Sequence, residues 1–280
     1  MRKIIKILFL IFIGGKIWGQ ILVIDGIGDE NINNKIEEVS KDKLVFIKPE
    51  DFKNSIDGYK LIILLGDRAL EFYKKNNWEK PCVVGYVKNP IYEIPITGTG
   101  LRYGLPHTLI FTIISSSMKW VKRVGVILPY EYSESNYIEE LKRTSKTFNI
   151  DIKIVFVQGK QIKKAFSELS GIDLFLLLPC EFTLDENSAR YFIEEFTNLK
   201  IPVFGFEKKH AVMGALMSYD IEKNYSIEFL NIVKLVSEGR DPSTIPVKYP
   251  QNYEIYIKKK TKEILKLEID KLAIKNVNEI

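Results

Sequence analysis

The sequence predicts an α/β protein made of two doubly wound, Rossmann-like lobes. Short apolar runs bounded by Gly, Pro or charge alternate with amphipathic helical stretches, and this series occurs twice, separated by a glycine- and proline-rich connector. The apolarity of the runs is continuous rather than alternating, which means that both faces of each strand are covered, as in a parallel sheet between helices. A length of 280 residues, near twice the common domain size, suits two lobes.

The chain opens with MRKIIKILFLIFIGGKIWGQ, in which Arg2, Lys3 and Lys6 precede the apolar run 7–13 and small Gly19 stands before Gln20. This is the pattern of a secretory signal, residues 1–19, cut after Gly19. The apolar run is too short to cross a bilayer, which takes about 20 residues. The signal holds four cations and no acid, so 37 of the 41 Lys and Arg remain against 36 acids, a net of about +1. A nucleic-acid partner would need a basic surplus in the folded part, so that class is set aside. No cysteine follows the apolar run to carry a lipid anchor, so the expected mature protein is soluble outside the cytoplasm. Cys82 and Cys180 read as buried free thiols or, in an oxidising compartment, as a disulfide.

ILVIDG, KLVFIK, KLIILLG and CVVGYV supply the strands of the first series, with DRALEFYKKNN as a helix after the third. The connector contains TGTGLRYG at 97–104. Its glycines are spaced G-x-G-x-x-x-G with no Lys-Ser/Thr pair behind them, so it meets neither the dinucleotide nor the P-loop pattern and reads as a cleft-edge or hinge-proximal loop. The helix LIFTIISSSMKW leads into the second series. Its strands are VKRVGVILP, IDIKIVFV, IDLFLLLP and IPVFGF. Between them lie helices carrying Tyr137, Leu141, Thr144 and Phe148, then Ile162, Ala165, Phe166 and Leu169, then Phe192, Ile193, Phe196 and Leu199. The last of these starts at a capping-box pattern, Thr183 to Glu186. The KKKTK run at 258–262 reads as a solvated helix start.

In such sheets ligands gather at the carboxyl ends of the strands. The residues found there are Asp67, Tyr86, Thr97 and Thr99 from the first series, and Tyr130, Glu181, Phe206 and Glu207 from the second, with Tyr132 or Tyr137 as alternatives to Tyr130. Aromatic walls with a few placed polar groups suit a small molecule: a carboxylate can hold an ammonium, and a threonine hydroxyl a carboxylate. Asp67 equally suits a helix cap. No catalytic residue, metal site or cofactor is expected. The only histidines, His107 and His210, lack partners at ligand spacing, SSS at 115–117 has no base beside it, and there is neither a G-x-S-x-G elbow nor H-E-x-x-H.

From about residue 61 to 269 the sequence resembles the ABC-transporter substrate-binding family that includes receptors for aromatic and aliphatic amino acids. IPVFGFEKKHAVMGALMSYDIEKN is similar to the family's strand, loop and small-residue strand. VSEGRDPSTIPVKYPQNYEIYIKKKTKEILKLEI is similar to its closing segment, while ITGTG and VKRVGVILPYEYSESN resemble upstream motifs. The resemblance implies a type I periplasmic-binding fold, with a three-crossover hinge near Ser117, Met213 and Val247 closing on a ligand in the inter-lobe cleft. Lobe one is then 20–117 plus 213–246, lobe two 118–212 plus 247–269, and 270–280 a polar tail. The first lobe is shortened, since VIDGIGDENINNKIEEVSKDKLVFIK falls short of the family's first strand and long helix. The implied role is an extracytoplasmic, monomeric solute-binding component of an ABC importer, delivering a small molecule such as an amino acid to permease subunits. The alternative is a ligand-sensing or non-transport module with a degenerate pocket.

Overall fold

The structure, a computed structural model, describes residues 19–53, 55–158 and 162–280. Apart from Gly19, the expected signal lies outside the described residues. The chain divides into two compact units. Unit one holds the described residues up to Gly85, with Ile94–Gly100 and Leu230–Pro246; unit two holds Tyr86–Glu93, Leu101–Phe229 and Val247–Ile280.

Unit one is built on β1 (Gln20–Asp25), α1 (Glu30–Val39), β2 (Leu44–Ile47), β3 (Tyr59–Leu65), α2 (Asp67–Lys75), β4 (Cys82–Gly85) and β5 (Gly98–Gly100). The sheet order is β2-β1-β3-β4-β5, and every pairing is parallel. The apolar side chains of β1, β3 and β4 are buried along both faces, which explains their unbroken apolar sequences. Asp29 starts α1 by accepting from the backbone N–H groups of Asn31 and Ile32, and Ile32 and Ile36 turn inward one helical turn apart. Asp67 opens α2 and Lys74 and Lys75 close it, each charge complementing the helix dipole.

Unit two contains α3 (His107–Ser117), β6 (Arg123–Pro129), α4 (Asn136–Thr147), β7 (Asp151–Val157), α5 (Ile162–Glu168), β8 (Leu174–Leu176), α6 (Glu181–Leu184), α7 (Glu186–Asn198), β9 (Val203–Gly205), α8 (Lys208–Met213), β10 (Met217–Asp220), the start of α9 (Glu222–Ser237), β11 (Glu254–Ile257), α10 (Lys259–Leu265) and β12 (Val277–Glu279). Its sheet runs β12-β11-β10-β9-β8-β6-β7, parallel except where β11 meets β10. Aromatic stacking fixes helix on sheet: the Phe175 ring lies 3.9 Å from that of Phe196, which in turn meets Phe166 at 5.0 Å.

Several elements differ from the sequence reading. GTG is not a connector but the edge strand β5, because glycines let its backbone press against β4: a Cβ on Gly98 would lie 2.5 Å from the Cys82 sulfur, and one on Gly100 would collide with the Val84 carbonyl oxygen. Gly104 takes a left-handed φ of 131°, a turn that favours glycine. The strand after Met213 does not return to the first sheet. β10 pairs with β9 and β11, and the chain re-enters unit one only within α9, after Phe229. Nor does the first unit extend to Ser117, for α3 belongs to unit two and the chain leaves unit one after Gly100. The polar tail adds β12 to the second sheet, secured by the Lys271–Glu279 ion pair. The N-cap of α7 is Asp185, which accepts from Ser188 N–H, while Thr183 lies inside the separate turn α6, its hydroxyl accepting from the N–H of the N-cap Cys180; Leu199, expected inward, is 53% exposed just past the end of α7. Cys82 and Cys180 are both buried free thiols.

Replacing Gly100 by Ala places a methyl group against backbone that cannot move aside. The variant is expected to lose about 1–3 kcal/mol, the usual cost of overpacking. The urea midpoint against wild type measures it, and an unchanged midpoint would show that β5 does not sit this close to β4.

Candidate functional site

The strand-end residues of unit one serve the fold in three ways. Asp67 is the half-exposed first residue of α2. Thr97 donates its hydroxyl to the Lys80 carbonyl at 3.3 Å. Thr99 is fully buried in β5, and its hydroxyl has no hydrogen-bond partner among the described residues.

In unit two, the segment Tyr86–Glu93 bonds to residues that follow β6 and β9, Tyr132 and Glu207. Tyr86 takes a left-handed φ of 60°, which costs a non-glycine residue backbone energy. Its N–H donates to the Tyr225 hydroxyl at 2.8 Å, and that hydroxyl donates to the Leu101 carbonyl at 2.6 Å. The Tyr86 ring meets those of Tyr225 and Phe229 edge-on at 4.8 and 5.5 Å. Further along, Lys88 Nζ is 3.2 Å from Glu207 Oε1 and 4.8 Å from the centre of the Tyr103 ring. Asn89 accepts from the Tyr132 hydroxyl at 2.8 Å, and Glu93 accepts from Asn136 at 2.8 Å.

Glu207 follows β9 as the N-cap of α8 and is only 5% exposed. Burial pushes its carboxyl up, but the hydrogen bond from Lys209, at 2.5 Å, and the charges of Lys88 and Lys209 outweigh it and hold the group below the ordinary 4.5. His210 completes the cap. Its Nδ1 accepts the backbone N–H groups of Phe206 and Glu207, each at 3.2 Å, so the fully buried ring carries its proton on Nε2. Burial lowers its pKa to about 4.

The other expected residues of unit two are scattered. Phe206 is 1% exposed, its ring edge-on to His210 at 4.5 Å, so it belongs to the core. Tyr130 is 60% exposed, whereas Tyr132 two residues later is buried. Glu181 is exposed in the first turn of α6. Of the eight, Glu207 sits in a charged cluster whose partner Lys88, two residues from Tyr86, carries no signal in the sequence that marks it.

A cavity of about 260 Å3 opens beside the same segment, and none of the eight lines it. Pro90 and Ile91 form an apolar side, Tyr137 and Tyr249 offer rings, and Arg102 lies with its guanidinium 6.0 Å from the Tyr249 ring centre. Glu93, Glu134 and Glu140 supply carboxylates. Buried His107 adjoins this wall: its ring is 4.5 Å from that of Tyr137, and its Nδ1 is 4.0 Å from Glu140. Burial first, and the Arg102 charge second, lower its pKa to about 4. The wall comes from four separate stretches of chain, which no sequence motif links. Among the described residues no group of three or more His, Cys, Asp or Glu is placed to hold a metal, and no helix is long and apolar enough to cross a membrane.

No protein-family model matches the chain, and no curated protein matches its sequence. Solved structures do match its shape. An ABC domain from Streptococcus pneumonia in complex with L-Trp superposes with a TM-score of 0.66 at 16% identity, covering 94% of this chain and 99% of that one. A ligand-free, open substrate-binding protein with adhesive properties from Clostridium difficile gives 0.62 at 14% identity, again covering 94% and 99%. A leucine-binding protein from Thermotoga maritima gives 0.52 at 13%, covering 79% and 80%. The chain has the type I periplasmic-binding fold. Similarity at this level of identity establishes the fold and leaves function to the site.

His107 and His210 are both buried uncharged, with folded pKa values near 4 against an ordinary 6.5. A depressed folded value means that the unfolded chain binds the proton first, so the stability each contributes is complete above pH 6.5 and is lost as pH falls towards 4. Each should add up to about 1.4 kcal/mol per pH unit to the slope in that window. Urea titrations at pH 7, 6 and 5 would show this loss, and His107→Gln should remove about half of the slope; a flat profile would mean the rings are not buried neutral.

Proposed function

We propose that the chain is the extracytoplasmic solute-binding component of an ABC importer. It takes up a small molecule and presents it to permease subunits as a monomer. The observation that carries this reading is the cavity beside Tyr86–Glu93, which combines an apolar side, two tyrosine rings and both signs of charge in about 260 Å3. The wall is more polar than that of a drug-sized site, which suits a small polar or charged solute, and its size lies below the range of roughly 300–1,000 Å3 typical of such sites. The fold it shares with a protein described as substrate-binding and with an ABC domain solved with L-Trp supports the role and makes amino acids the first class to test.

A second reading, ligand sensing without transport, draws on Glu207. The cations beside this buried carboxylate come from the chain itself, Lys88 and Lys209, so part of the charged machinery is already satisfied.

A thermal-shift screen of the mature protein against amino acids, amines, organic acids and sugars tests the proposal. A ligand at 100 times its dissociation constant adds about 2.7 kcal/mol to the folded state, a readily measured rise in melting temperature. At least one compound class is expected to give it, and no shift with any of them would contradict a transport receptor.

A further inference from the structure

We infer that the cavity beside Tyr86–Glu93 selects a small organic cation, an ammonium-bearing molecule with net positive charge; this rests on the solute-binding reading and adds the ligand's charge class to it. The lining holds three carboxylates, Glu93, Glu134 and Glu140, against the single guanidinium of Arg102. A neutral or anionic solute would leave that excess of negative charge uncompensated as it displaced water. The rings of Tyr137 and Tyr249 have π faces that attract ammonium groups, and Pro90 and Ile91 give an aliphatic stem an apolar surface.

The second observation is His107. Its ring is 97% buried, and neither nitrogen has a hydrogen-bond partner among the described residues. Its Nδ1 faces Glu140 across 4.0 Å, too long for a direct hydrogen bond. The imidazole lies behind the wall and leaves Glu140 without a hydrogen bond from it, so an N–H donor in the cavity can take up that carboxylate, which an acceptor-only anion cannot. The ring is uncharged near neutral pH, so it does not offset the carboxylates. Arg102, the cation of the lining, suits a ligand carboxylate, which would separate a cationic amino acid from a simple diamine.

Calorimetry on the mature protein with putrescine, L-lysine, L-leucine and succinate decides the charge class. Putrescine, L-lysine or both should bind, with L-leucine and succinate at least tenfold weaker. Binding of L-lysine alone supports the inference with Arg102 reading the carboxylate, and binding of putrescine alone supports it without that contact. Glu140→Gln, at a side chain 41% exposed and therefore tolerant, should weaken the cation at least tenfold, whereas Glu186→Gln on α7 should not. Binding of L-leucine or succinate in preference to both cations would overturn the charge class while leaving solute binding in place. If no probe binds but the wider screen finds a neutral or acidic ligand, the charge class also falls alone; if the wider screen is empty, both readings fall.

Discussion

Glu207 sets the strongest constraint on this site. A carboxylate so nearly removed from water stays charged only if cations replace its hydration, because the penalty for an unpaired buried ion reaches several kcal/mol. Lys209 is local, in the first turn of the helix that Glu207 caps. Lys88 is not. It comes from the segment between β4 and β5, adjacent strands of the other sheet, and its ammonium is fixed both by the carboxylate and by the face of the Tyr103 ring.

That recruitment explains why Tyr86–Glu93 belongs with the second unit although the strands on either side of it belong to the first. The departure begins with a left-handed backbone at Tyr86, a cost of about 1–3 kcal/mol that persists only where surrounding structure over-determines it. The hydrogen bond to Tyr225 and two edge-on aromatic contacts supply that support. Asn89 and Glu93 then fasten the remainder to Tyr132 and Asn136. With the segment in place, Pro90 and Ile91 become a wall of the cavity. The packing of β5 on β4 has a different origin: there the glycines of TGTG remove side chains so that two backbones can approach.

Much of the fold was legible because its strands are buried on both faces. LIILLG, CVV and VGVIL announce themselves by unbroken apolarity, and Phe192, Ile193 and Phe196 mark a helix face by their spacing. What a strand pairs with was not legible. Met217, Ser218 and Tyr219 are as buried as any first-sheet strand, and nothing in their sequence tells which sheet they complete. The site was harder, because residues just past a strand end turn in or out with the first loop dihedrals. Phe206 turned into the core and Tyr130 into solvent, while Tyr132 took the inward place. Glu207 was named, but its state depends on a lysine 119 positions away.

Glu207 and Lys88 must act on each other across that separation if the ion pair holds the segment in place. A double-mutant cycle with Lys88→Met, Glu207→Gln and the pair, read from unfolding free energies at pH 7, isolates the interaction. A coupling of about 1 kcal/mol or more is predicted, within the range found for residues in one ion-pair network. Additivity within about 0.3–0.5 kcal/mol, the behaviour of independent sites, would contradict it.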